Sequence, residues 1–296
     1  MPELDRYIPG VPCWIDTSQP DPEAAVAFYG DLFGWDVDEV SPPGSELKYF
    51  IAQIRGRDVA GISPLPEGAP PAATWNTYVW VDSADDAAVR VKQAGGAVLM
   101  EPMDVSDAGR TAVFTDREGA AFSVWEPKRH RGAAIVNEAG SLNFNNLNTH
   151  DAGSAKAFYA EVFGWGTIPM GGAAEAWTLP GYGDHLERLN PGTRERMAGA
   201  GAPAGFIDVV ATLTPLPDDH GDVPAHWGVT FATDDADATA EKAFALGGKI
   251  LAPPFDAPWV RMTIIADPQG ASFIASQFVP ENRDVASPGN ESLSAA

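Results

Sequence analysis

Between Asp21 and Gly34 the apolar side chains fall at Ala25, Phe28, Tyr29 and Leu32, the spacing of one face of a helix. Asp21 is a fitting N-cap, Pro22 suits the first helical turn, and Gly34 supplies the stop. The segment Asp151 to Gly164 repeats this logic. Two further helices are predicted from about Ser83 to Ala94 and from about Asp235 to Leu246, both Ala-rich, with acidic caps and a closing Gly-Gly pair. Between them lie short alternating runs, such as Lys48 to Ile54, Asn76 to Val81 and Thr111 to Phe114, which read as strands. The predicted order is βαβββ, used four times.

The chain repeats itself. Asp21-x6-Phe28-Tyr29-x3-Phe33-Gly34-Trp35 returns as Asp151-x6-Phe158-Tyr159-x3-Phe163-Gly164-Trp165. Downstream, Trp75, Asp82, Gly95-Gly96, Arg110, Asp116 and Gly119-Ala120 match Trp227, Asp234, Gly247-Gly248, Arg261, Asp267 and Gly270-Ala271. The second copy carries an insertion of about 22 residues before Trp227. The expected organisation is a first domain over 1–127, a linker over 128–139, a second domain over 140–279 with a lid insertion at about 183–207, and a disordered tail over 280–296. Helices alternating with antiparallel-type strands place the fold in the α+β class, with each domain's two modules forming a curved sheet around a cleft.

Composition narrows the function. The length of 296 residues suits two domains that each bury a core. No apolar run approaches a membrane span, and the N-terminus lacks the basic and apolar regions of a secretory signal, so a cytoplasmic protein is expected. The single cysteine, Cys13, excludes an internal disulfide and multi-cysteine metal sites. A net charge of −22 opposes binding to nucleic acid or anionic membranes. It would suit a cationic ligand, or simply a solvated surface that keeps the chain soluble. No Gly-x-Ser-x-Gly or phosphate-loop motif occurs, and the glycine-rich pieces end helices rather than begin them.

The Asp-x6-Phe-Tyr-x3-Phe-Gly-Trp spacing, the later Asp-x2-Gly-Ala and the duplication together resemble tandem domains of the glyoxalase/bleomycin-resistance/dioxygenase (vicinal oxygen chelate) superfamily, over about residues 10 to 278. The resemblance implies metal ligands at three positions per domain: one opening the first strand, one opening the strand before the second helix, and a Glu in the last strand. Those positions fall on Trp14, Asn76 and Ser123 in the first copy and on Phe144, Gly228 and Ile274 in the second. Trp, Phe, Gly and Ile offer no lone pair to a divalent ion, and a lone Asn or Ser holds one weakly. No metal and no other cofactor are therefore expected. His226, two residues before Gly228, is the dissenting residue, read as a local hydrogen-bonding group.

Strand alternation groups Trp14, Asp16 and Ser18 on one face, and Phe144, Asn146 and Asn148 on the corresponding face of the second copy. With Asn76, these are the candidate cleft residues; Trp14 and Phe144 either stack on a ligand or fill vacated space as core. Asp16 is the candidate general base, or it is hydrogen-bonded in the cleft or paired with Arg110. Arg110 and its counterpart Arg261 suit either ligand binding or a structural salt bridge. Cys13 should face the helices and be inert. In the insertion, Tyr182 and His185 are candidate polar contacts at the mouth of a lid over the second cleft, with Arg188, Arg194 and Arg196 able to meet an anionic ligand or to make a solvated surface.

Two functions fit. One is a metal-independent protein that binds a small planar or aromatic metabolite, of the sequestering or resistance type, as a monomer or homodimer. The other is a metabolite-tailoring enzyme, a lyase, isomerase, cyclase or cofactor-free oxygenase, using Asp16 or His185. A metal-dependent glyoxalase or dioxygenase is disfavoured by the six positions above.

Overall fold

Asp21 accepts the Ala24 N–H at 3.0 Å and so starts the first helix, α1 (Pro22–Phe33). Gly34, at φ 72°, ends it in a left-handed conformation that suits glycine. The computed structural model describes residues 7–41, 48–68, 71–171, 174–217 and 223–285. Within them the elements follow the predicted order. β1 (Pro12–Gln19), α1, β2 (Asp36–Glu39), β3 (Phe50–Ile54) and β4 (Arg57–Pro64) make the first module. β5 (Thr74–Trp80), α2 (Ala84–Gln93), β6 (Ala97–Val105), β7 (Gly109–Thr115) and β8 (Ala121–Pro127) make the second.

The second copy repeats them as β9 (Leu142–Thr149), α3 (Ala152–Phe163), β10 (Gly166–Gly171), β11 (Ala174–Thr178) and β12 (Val209–Pro215). It ends with β13 (His226–Ala232), α6 (Ala236–Ala245), β14 (Lys249–Ala257), β15 (Val260–Ala266) and β16 (Ser272–Phe278). The insertion contributes α4 (Tyr182–Leu189), α5 (Thr193–Gly199) and a 3-10 turn at Phe206–Asp208. Strand order is β2-β3-β4-β1-β5-β8-β7-β6 in one sheet and β10-β11-β12-β9-β13-β16-β15-β14 in the other. The two mixed sheets and six helices are the tandem α+β arrangement expected from the repeat. Among the described residues no helix is long and apolar enough to cross a membrane.

The Gly-Gly pair after α2 divides two tasks. Gly95 adopts φ 87°, and a Cβ on Gly96 would lie 2.4 Å from the Thr115 carbonyl oxygen and 2.8 Å from the Phe158 ring. The first glycine turns the chain; the second lets helix and strand approach.

Compact packing divides the chain differently from the sequence repeats. One unit gathers residues 1–13, 78–131 and 145–227; the other gathers 14–77, 132–144 and 228–296. In the second of these, Phe33 meets Phe231 at 4.9 Å between ring centroids, and Tyr29 meets Phe273 at 5.9 Å. In the first, Phe122 meets Tyr159 at 5.7 Å and Phe158 at 6.1 Å. The paired aromatics of the repeat motif thus close the cores of both units. The segment read as linker is itself packed, with Ile135 buried in the core of its unit. Part of the stretch read as a disordered tail is ordered: Pro280–Asp284 forms a 3-10 turn, because the Asn282 amide donates to Asp256 and to the Val260 carbonyl, each at 3.0 Å. The remainder, 286–296, lies outside the described residues.

Candidate functional site

β1 is buried along its whole length, so its polar side chains are held inside the protein and must find partners there. They find one another. Asp16, 5% exposed, accepts a hydrogen bond on Oδ1 from the Asn76 amide at 2.8 Å and on Oδ2 from the Tyr49 hydroxyl at 3.2 Å. The Asn76 amide also donates to Ser18 Oγ at 3.0 Å, and the Trp14 indole donates to the Tyr49 oxygen at 3.1 Å. Trp14, Asp16, Ser18, Tyr49 and Asn76 form one connected cup within a single compact unit.

Burial, and then the charge of Asp16, push the Tyr49 phenol well above its usual range. It therefore keeps its proton and serves as a donor to the carboxylate. Room for it comes from β4. Parallel pairing sets Gly61 beside Asp16, and a Cβ there would lie 2.1 Å from the Tyr49 hydroxyl oxygen. The sequence reading placed Asp16, Trp14 and Asn76 together but missed Tyr49, whose place depends on strand register. The pertinent signal was Gly61, a glycine inside an apolar strand.

The second copy builds a different cup. Thr212 stands opposite Asn146, where the first copy has Gly61, and donates to its side-chain oxygen at 2.6 Å. By register, Ala174 occupies the place of Tyr49. The swap is compensated: with a side chain on β12, the facing position of β11 is small. Asn148 contacts His226 Nε2 at 3.2 Å, while His226 Nδ1 lies 2.8 Å from the Pro224 carbonyl oxygen. That carbonyl can only accept, so Nδ1 carries the proton and Nε2 accepts from Asn148. Phe144 is half-buried on β9.

Three other predicted residues stand elsewhere. Arg110 makes the structural salt bridge that was one of its two readings: its guanidinium makes two 3.1 Å bonds to Asp85 and lies 3.5 Å from Asp104. Arg261 does the same with Asp237 and Asp256. His185, 3% exposed, lies on α4 with Tyr182 stacked nearly parallel to it at 6.4 Å. α4 walls a recess of about 560 Å³ together with Tyr7 and Trp80 from the first repeat and Arg131 from the segment that follows it. Asp16 and His185 belong to different compact units. Arg194 pairs with Asp184, and Arg196 with Thr193 and the Pro191 carbonyl. Cys13 is fully buried, and burial pushes its thiol far up, away from the reactive thiolate.

The profile of the Glyoxalase/Bleomycin resistance protein/Dioxygenase superfamily matches residues 14–124 and again 141–274. The chain belongs to this superfamily. Among its relatives, CFP32, a glyoxylase candidate of Mycobacterium tuberculosis (strain CDC 1551 / Oshkosh), is 40% identical over 284 residues, covering 95% of this chain and 100% of that protein. The anthracycline biosynthesis protein DnrV of Streptomyces peucetius is 34% identical over 283 residues, covering 91% and 94%. The Mn(II)-bound glyoxalase of Novosphingobium aromaticivorans shares the fold, with a TM-score of 0.59 at 14% identity over 91% of this chain and 82% of that one.

A metal of the kind that superfamily enzymes carry does not fit the residues present. Trp14, Phe144, Gly228 and Ile274 offer no lone pair to an ion, and Asn76 and Ser123 are neutral, weak ligands. Among the described residues no three His, Cys, Asp or Glu side chains gather where they could hold an ion.

Proposed function

We propose that this superfamily member binds a small planar or aromatic metabolite in the first cup, without a metal ion. The observation that carries this reading is the replacement of ligand positions by an aromatic and amide frame around a buried carboxylate, Trp14, Tyr49 and Asn76 about Asp16. An indole and a phenol offer apolar faces to a flat ring, and Asp16, Asn76 and Ser18 offer polar groups that fix its orientation. Kinship with a protein named for anthracycline biosynthesis supports a polycyclic aromatic ligand.

The test is titration of the full chain with an anthracycline, followed by the ligand's own fluorescence, alongside elemental analysis of protein purified without chelator. Saturable binding that persists in chelator and weakens at least tenfold in Asp16→Asn is expected. Stoichiometric iron, manganese, nickel or zinc, or binding abolished by chelator, would overturn the reading.

A second reading has one observation in its favour. Asp16 is a buried carboxylate bonded to a protonated phenol, an arrangement able to accept and return a proton. As a tailoring enzyme the chain would convert its ligand; recovery of altered ligand, lost in Asp16→Asn, separates turnover from sequestration.

A further inference from the structure

We propose that a groove beside α1 binds a small alkylguanidinium ligand of about the size of arginine, because the chain itself puts a guanidinium at the matching place in its other compact unit. The repeat aligns Asp116-Arg117-Glu118-Gly119 with Asp267-Pro268-Gln269-Gly270, and Tyr159-Ala160-Glu161 with Tyr29-Gly30-Asp31. Arg117 Nε donates to the carbonyl of Ala94, the cap of α2, at 2.7 Å, and its Nη2 lies 3.9 Å from Glu161 on α3. One guanidinium thus joins the negative end of a helix to a carboxylate on the neighbouring helix.

The other unit keeps the acceptors and changes the cation. Leu246 caps α6 as Ala94 caps α2, and Asp31 stands on α1 where Glu161 stands on α3. Pro268 replaces Arg117, and in register: a Cβ on Gly95 would lie 3.4 Å from Arg117 Nε, and one on Gly247 would lie 3.8 Å from Pro268 Cγ. A proline ring brings neither charge nor N–H donor to the acceptors. At this place lies a groove of about 300 Å³, with Phe28, Asp31, Leu246 and Pro268 in its lining, and every lining residue belongs to the same compact unit. No Lys, Arg or His is among them. Asp267, also in the lining, is already satisfied by Tyr29, Gln19 and the amides of its own turn. Asp31 is exposed and makes no ion pair among the described residues. Phe28, Leu246 and the alanines of α1 offer apolar surface to the methylenes of an alkylguanidinium, and the volume, at the lower end for small-molecule sites, suits one such molecule. The net charge of −22 favours a cation there.

Calorimetric titration of the full chain with Nα-acetyl-arginine amide tests this, with Nα-acetyl-citrulline amide as the uncharged isostere. The arginine probe should bind at least fivefold more tightly than the citrulline probe and lose at least fivefold in affinity in Asp31→Asn. Pro268→Arg, which copies the other unit and supplies the guanidinium from within, should abolish binding, whereas Pro268→Ala should keep it within about twofold. No saturable binding up to about 20 mM, equal binding of the two probes, an unchanged affinity in Asp31→Asn, or equal loss in Pro268→Ala and Pro268→Arg would overturn the proposal. So would a tenfold preference for acetyl-Ala-Arg-Ala amide over the lone residue, which would give the groove to a protein partner, or weakening by Asp16→Asn in place of Asp31→Asn, which would assign the probe to the first cup. The anthracycline titration of that cup stands or falls separately.

Discussion

The Tyr29 hydroxyl donates to Asp267 at 2.9 Å, joining the first helix of the chain to the turn before its last strand. The same bond is made by Tyr159 to Asp116 at 3.1 Å in the other compact unit. Each tyrosine oxygen also accepts from a tryptophan, Trp75 at 3.1 Å and Trp227 at 2.8 Å. Each aspartate caps its own turn with the other oxygen, Asp267 from Gln269 and Ala271, Asp116 from Glu118 and Ala120. The repeated Phe-Tyr and Asp-x2-Gly-Ala signatures are thus the two ends of one buried polar network.

Removing the hydroxyl leaves a buried indole N–H without its acceptor and an aspartate short of a donor. Tyr29→Phe and Tyr159→Phe are each expected to cost about 1–3 kcal/mol of stability, read from urea unfolding. An unchanged midpoint in both variants would refute the role of the network.

A methyl group on Gly61 would displace the Tyr49 hydroxyl from Asp16. Gly61→Ala should reduce ligand affinity at the first cup as far as Tyr49→Phe does, about tenfold. In the double variant Gly61→Ala with Tyr49→Ala, which puts a side chain on β4 and a small residue at the Tyr49 place as Thr212 and Ala174 do in the second copy, the stability lost on the single glycine change should return. Additive losses in the double variant would contradict the steric account.

Asp116 gives a pH dependence of defined sign. Burial holds its pKa above the ordinary carboxylate value. The folded state therefore binds this proton more tightly than the unfolded chain, and the stability it contributes is full at low pH and lost as pH rises through the folded value. The stability of the natural chain relative to Asp116→Asn should fall as pH rises above the ordinary carboxylate range, as read from parallel urea titrations. Asp104 and Asp237, held low by Lys128 and Arg261, act in the opposite direction, but both are exposed and their effect is screened.

Arg110→Ala should cost no more than about 1 kcal/mol and leave binding at the first cup unchanged, because its partners Asp85 and Asp104 are exposed. A tenfold loss of affinity would return Arg110 to the list of ligand contacts.

Helix limits, strand identities and the fourfold module were legible because they depend on short-range chemistry: Asp21 caps three residues ahead, and Gly34 and Gly164 each adopt the left-handed turn that suits them. Trp14, Asp16 and Ser18 could be grouped because alternation alone puts them on one face. Tyr49 could not be added, since its bond to Asp16 passes over Gly61, and the register of β1 against β4 is a tertiary outcome. The insertion was read as a lid, but the wall it forms with Tyr7 and Trp80 has no local signature. Of the two readings of Arg110, the structure shows the salt bridge, repeated in both copies as a surface pairing with the second helix of each, Asp85 in one and Asp237 in the other.

The interleaved packing bears on how such a chain arises. A lone repeat would carry α1 and α2 with their aromatic and glycine faces bare, because Tyr29 and Phe33 meet Phe273 and Phe231 of the other copy, and Gly96 meets Phe158. A primordial half-length protein could have covered both faces only by exchanging them with its twin, and joining the two genes would then have turned a partnership between molecules into a fixture of one.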